Sequence, residues 1–236
     1  MVNRKQFKVH PVEYGPITPR GQGSTLHVAH RTSHSGFTIV ELLVSILLTS
    51  IIMTAVYSVY RVQTHSAKVQ ENRLEAQEYA RSVLDMMVRE ITNAGYAPTG
   101  AACAVVVSAS SQTIQFAYDA NANGVCTDAD EDIEYRFDAT GCSSLGNIRR
   151  LTRNGATILT DEPLTNCNVP TGTSNFSLTY YAQDSSTAMS PLVLANIQRV
   201  GITLTVQSLK PDTEFGGQLT VTMTSNADLR NRGLPS

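Results

Sequence analysis

Gly36-Phe37-Thr38-Ile39-Val40-Glu41-Leu42-Leu43-Val44-Ser45 opens the run of residues that decides the fold of this 236-residue chain. From Phe37 to Tyr60 there are 24 residues and one formal charge, Glu41. As a helix the run is ~36 Å long, enough to cross a bilayer. A carboxylate in hydrocarbon is costly unless it is paired, so Glu41 marks a functional site and requires a cation. A cut between Gly36 and Phe37 would supply one, because the new α-amino group of a neighbouring copy could neutralise Glu41 within the apolar layer.

Outward on the N-terminal side, residues 1–36 carry Arg4, Lys5, Lys8, Arg20 and Arg31 against the single acid Glu13. This basic leader is expected to stay on the cytoplasmic side and to place the C-terminal bulk outside. Its prolines and glycines, among them Pro11, Gly15, Pro16 and Pro19, set it apart from the folded domain. A secretory signal peptide is the competing reading, but the apolar run exceeds the usual length and no small-x-small cleavage site ends it.

Gly-Phe-Thr-x-x-Glu on an uninterrupted apolar helix resembles the class III signal of type IV prepilins and of the pseudopilins of type II secretion. The resemblance covers Ser35 to about Tyr60 strongly and the remainder more loosely. It implies cleavage after Gly36 by a prepilin peptidase, N-methylation of Phe37, and Glu41 as the residue that registers subunits during assembly.

Downstream, no Pro or Gly occurs between Phe37 and Gly95, which permits one continuous helix of ~85 Å. Residues 37–60 form its transmembrane and assembly part, and residues 61–95 an amphipathic part on the far side. In the latter, Val69, Ala76, Tyr79, Val83, Met86, Met87 and Ile91 recur at helical spacing and are expected to pack on a domain. Asn93-Ala94-Gly95 followed by Pro98 reads as a helix stop.

Residues 96–236 form a β-rich ectodomain in which the period changes to two. Expected strands are 104–108, 113–118, 132–138, 147–153, 156–160, 175–182, 196–209 and 218–225, with Asn154-Gly155 as a hairpin turn. The fold class is therefore α+β, a long N-terminal helix packed on antiparallel sheet, which is also the pilin fold that the leader implies. Cys103, Cys126, Cys142 and Cys167 all follow the span and point to disulfides in an oxidising compartment. In a sequential meander Cys103 meets the loop of Cys126 at one end, and Cys142 meets Cys167 at the other. That is the pairing expected among three connectivities.

One stretch carries coordination chemistry. Asp119-Ala-Asn121-Ala-Asn123-Gly124-Val125-Cys126-Thr127-Asp128-Ala129-Asp130 has oxygen donors at loop positions one, three and five, Gly at six and an acid at twelve. This is the order of a calcium loop, with Val125 offering its carbonyl and Asp130 closing the set. Strands rather than helices flank it, and an Asn/Gly-rich turn with a solvated acidic face is an equally good reading. Ca2+ is the only cofactor the sequence suggests.

Catalysis finds little support. All five histidines, His10, His27, His30, His34 and His65, precede the sheet region, so that region has no imidazole for a Ser-His or Cys-His couple. Beyond the leader, 13 basic and 19 acidic residues give a net charge of −6, which disfavours nucleic acid. The basic cluster Arg149, Arg150 and Arg153 is divided between two faces of one strand.

The reading is a non-enzymatic minor type IV pilin. The segment Met86-Met87-Val88-Arg89-Glu90-Ile91-Thr92-Asn93-Ala94-Gly95-Tyr96, followed by a cysteine-bearing sheet domain, resembles the PilW-like minor pilins. What that implies is a priming or tip complex with other pilins and minor pilins and a tip adhesin, on an inner-membrane assembly platform, with the ectodomain in the periplasm before assembly. Two rivals remain: a J-type minor pseudopilin of type II secretion, and a signal-anchored periplasmic binding or hydrolytic protein.

Overall fold

A computed structural model describes residues 36–100, 102–210 and 217–230. The basic leader lies outside the described residues. The chain divides into two compact units at Met53 and Thr54. In the first, the described residues are Gly36, Phe37 and Thr38 followed by helix; the second holds the rest of that helix and two sheets.

Helix α1 runs over Ile39–Thr92. It starts two residues after Phe37 because Thr38 caps it, and it stops where Asn93 and Ala94 donate to Glu90 and Ile91 in the tighter pattern of a frayed last turn. Gly95 follows with φ +75°, a left-handed conformation that ends helices and suits glycine. Its N–H then donates to Ala117 O at 2.8 Å, tying the helix end to the sheet. A side chain at residue 95 would also meet Val105 Cγ2 at 2.5 Å, so the position excludes any larger residue twice over.

The first sheet contains β1 (Ser108–Ala109), β2 (Thr113–Ala117), β3 (Asp132–Asp138), β4 (Leu145–Asn154) and β5 (Thr157–Pro163), antiparallel and in sequential order. A short strand β6 (Val169–Pro170) continues along the same edge of β4, pairing with Leu145 and Gly146. The second sheet is β7 (Phe176–Tyr181), β8 (Arg199–Gln207) and β9 (Thr220–Asp228). The strand expected over 104–108 shrinks to β1, because the chain bends at Val105 and Val107, although Ala104 and Val107 still bond to β2. The strand expected from 196 begins only at Arg199, after a 3-10 turn at Leu194–Asn196.

In the second unit the helix contributes Ala76, Ala80, Val83, Leu84, Met87 and Ile91 to the core. Ala80 and Leu84 join that stripe although the sequence reading does not name them, whereas Val69 and Met86, which it does name, stay half-buried outside the core. Opposite them stand Ile114, Phe116, Ile133, Tyr135 and Ile148 from the first sheet, and Phe176, Leu178, Val200, Ile202, Leu204 and Val206 from the second. The alternation in β3 and β8 puts every second residue of these strands on that face. Where the sheets meet, Tyr180 Oη donates to Ser110 O (2.8 Å) and Thr113 O (3.0 Å), and Leu178 N donates to Ser111 O. Burial pushes the Tyr180 hydroxyl well above the usual phenol range.

Candidate functional site

At the start of α1, Thr38 and Glu41 bond reciprocally. Glu41 N donates to Thr38 Oγ1 at 3.2 Å, while Thr38 N and Thr38 Oγ1 donate to Glu41 Oε2 at 3.1 and 3.2 Å. This is a capping box, which satisfies backbone donors that no turn of helix can reach. The spacing Thr-x-x-Glu carries that signal, and the reading of Glu41 as a partner for a neighbour's amine overlooks it. Gly36 and Phe37 precede the cap without helical structure, and a Cβ built on Gly36 meets nothing within 4 Å.

Beyond Glu41, the residues from Ile39 to Tyr60 include no Lys or Arg, and their large apolar side chains are exposed throughout. Four hydroxyls within the run are bonded to the helix backbone: Ser45 to Glu41 O, Thr49 to Ser45 O, Ser50 to Leu47 O and Ser58 to Ala55 O, each at 2.7 Å. A polar group so bonded can sit in lipid, where an unmet donor would be costly. An apolar, exposed surface of this extent and length suits a membrane or a bundle of like helices.

Nearer the other end of α1, a polar lock joins helix to sheet. Glu90 accepts from Arg150 Nε at 3.1 Å and from Tyr135 Oη. Tyr135 is fully buried. Burial, then the Glu90 carboxylate, holds its hydroxyl well above the usual phenol range. Burial opposes the charge on Arg150, yet the Glu90 carboxylate outweighs it and raises the guanidinium pKa. Arg149 and Arg153 leave from the opposite face of β4, where Arg149 Nε meets Asp161 Oδ1 at 2.6 Å and Arg153 Nε meets Glu134 Oε2 at 2.7 Å. The three arginines thus serve two different ion-pair sets and make no continuous basic surface.

Both disulfides join the expected partners, Cys103 with Cys126 and Cys142 with Cys167, at Cα separations of 5.6 and 5.4 Å. The first fastens the 119–130 loop to the strand approach of β1. Within this loop Asp119 is fully buried. Its carboxyl accepts from Asn123 N (3.1 Å), Gly124 N (3.0 Å) and Thr99 Oγ1 (2.9 Å). Burial pushes its pKa up, but the bonds from Gly124, Thr99 and Asn123 prevail and hold it below the ordinary carboxylate value. Asn121 Oδ1 accepts from Asn123 N, and Asn123 Oδ1 from Val125 N. Asp130 stands apart: its side chain is 71% exposed and its Oδ1 lies 3.7 Å from Arg150 Nη1. Of the expected calcium donors, Asp119, Asn121 and Asn123 are therefore knit together by one turn with Val125, while Asp130 faces a guanidinium.

A long helix with an apolar exposed half and a capped acid at its start, carrying antiparallel sheets on its other half, defines a type IV pilin-like subunit. The chain belongs to the family of prepilin peptidase-dependent protein B, which matches residues 69–227, and residues 31–57 match the prokaryotic N-terminal methylation motif. Among solved structures, a type IV-like pilin from Thermus thermophilus shares 13% identity over 66% of this chain and 97% of its own, at a TM-score of 0.44. No curated protein matches the chain.

Proposed function

We propose that this chain is a minor type IV pilin, cut between Gly36 and Phe37, methylated at Phe37, and built into a filament or its tip as a structural and priming subunit. The observation that carries this reading is the coupling of Gly36-Phe37-Thr38-x-x-Glu41 to an exposed apolar helical run, uncharged over residues 42–60, in a chain of the prepilin peptidase-dependent protein B family. Before assembly the helix holds the chain in the inner membrane with residues 61–236 in the periplasm. On extraction, Glu41 leaves its own cap to meet the amino group of a neighbouring Phe37, and the exposed apolar residues of α1 exchange lipid for other pilin helices. The ion pair makes the transfer selective for register: a helix displaced by one turn would bury the carboxylate unpaired. Its partners are other pilins and minor pilins, the prepilin peptidase and the inner-membrane assembly platform, with a tip adhesin at the distal end.

Deleting the gene and counting surface filaments tests this role. The expected result is a strong loss of filaments, restored by the wild-type chain, with the chain itself present in sheared filaments at far lower abundance than the main subunit. Normal piliation together with defective export of a secreted enzyme would place the chain in a secretion pseudopilus instead.

A further inference from the structure

The turn that holds Asp119 contains a second buried carboxylate. Glu131, one residue past the expected loop, is 1% exposed. Its Oε1 accepts from Ala120 N (3.0 Å) and Asn121 N (3.2 Å), which fixes the group over the first residues of the loop. Its Oε2 is also buried and has no hydrogen-bond partner among the described residues. Asp119 and Glu131 thus lie buried at the same turn, and the nearby guanidinium of Arg150 is committed to Glu90 and Asp130. A buried carboxylate oxygen without a partner loses its hydration without replacement. A bound cation removes that penalty.

The surrounding donors select its chemistry. Asn121 Oδ1 and Asn123 Oδ1 each accept one backbone N–H, which leaves each oxygen a lone pair. Asp128 Oδ2 draws in the amide nitrogens of the same two residues, at 3.4 and 2.7 Å, and so turns their oxygens back toward the backbone of the turn. All four cysteines are in disulfides, and the side-chain donors described at this turn are all oxygens. Thiolate and imidazole metals are thereby disfavoured. Carboxylate and amide oxygens suit calcium better than magnesium, which demands strict octahedral geometry and keeps its waters.

We infer that the 119–131 turn binds one calcium ion, with Glu131 rather than Asp130 supplying the second carboxylate beside Asp119, Asn121 and Asn123. The inference stands independently of the pilin role. Asp130 is excluded by its orientation toward Arg150, and the Cys103–Cys126 bond anchors the turn so that the donors need little rearrangement.

The test uses the full chain in detergent, stripped with a chelator and titrated with CaCl2 by calorimetry, together with thermal unfolding in chelator and in calcium. The wild-type chain should bind one Ca2+ with a dissociation constant of about 0.1–1 mM, in the range of extracellular modules, and should unfold at higher temperature in calcium. Glu131→Gln keeps an acceptor for Ala120 and Asn121 but loses the charge; it should weaken binding by about tenfold or more. Asp130→Asn should alter binding by less than about threefold. The inference is overturned by the absence of both heat and thermal shift in the wild-type chain at about 10 mM Ca2+. An equal shift with Mg2+, or equal losses in the two variants, overturns it as well. If Glu131→Gln fails to fold, the wild-type calcium and magnesium titrations and the Asp130→Asn variant decide the matter.

Discussion

Glu41 has two distinct uses for its side chain, and they differ in whether charge is needed. As the third residue of a capping box it needs only an acceptor oxygen, which glutamine also offers. As the partner of a neighbour's α-amino group it must be ionised. Glu41→Gln therefore separates the two: helix content and cleavage after Gly36 should be unchanged, while recovery of the chain in sheared filaments should fall to near background by immunoblot. Recovery equal to wild type would mean that the cap, and not the charge, is what assembly uses. Gly36 offers a complementary position, since a Cβ there meets nothing within 4 Å among the described residues. A processing defect on its substitution reports recognition by the peptidase and not damage to the fold. At this scale the sequence is highly legible, because a charge in an apolar run and a Thr-x-x-Glu spacing are local signals. Glu131 is the counterexample: its role depends on being folded back over Ala120 and Asn121, and no spacing announces that.

Helix α1 is held to the first sheet by an apolar stripe and by a part-buried polar lock. The stripe is readable from the 3.6-residue period, whereas the lock is not, since Glu90 and Arg150 are 60 residues apart in sequence. Glu90→Ala leaves Arg150 largely buried without its principal carboxylate, and leaves the Tyr135 hydroxyl without its acceptor. The expected loss of stability is about 3–5 kcal/mol. Replacing both partners at once, as Glu90→Leu with Arg150→Met, should recover more than half of it, because no stranded charge remains. Urea unfolding of the three chains measures both quantities. A loss below about 1 kcal/mol for Glu90→Ala would show that water reaches Arg150 and that the lock is dispensable. Strand reading follows the same division. β3 is legible to the residue from Ile133, Tyr135 and Phe137 alternating with charged neighbours, and Asn154-Gly155 marks the β4–β5 hairpin. The two-residue strand β6 has no periodicity to read, and nothing in the alternation of residues 104–108 announces the bends at Val105 and Val107.

On the scale of the whole molecule, one chain carries an exposed apolar helical run, uncharged over residues 42–60, and a disulfide-bonded sheet domain. The sequential order β1 to β5 explains why both disulfides could be paired from sequence: neighbours along the chain are neighbours in the sheet, so cysteines at successive loop ends meet. The second sheet has the same simplicity, β7-β8-β9, and strand alternation alone does not distinguish one sheet from two. Family membership accounts for the ectodomain, and the methylation motif accounts for the helix start. The central claim joins them in a single processed subunit. The most direct measurement is the N-terminal mass and sequence of the chain recovered from sheared filaments of the native host. A terminus at N-methylated Phe37 is the predicted result. A terminus upstream of Gly36, or an unmethylated chain confined to the membrane fraction, would contradict the account and leave the ectodomain as a separately acting anchored module.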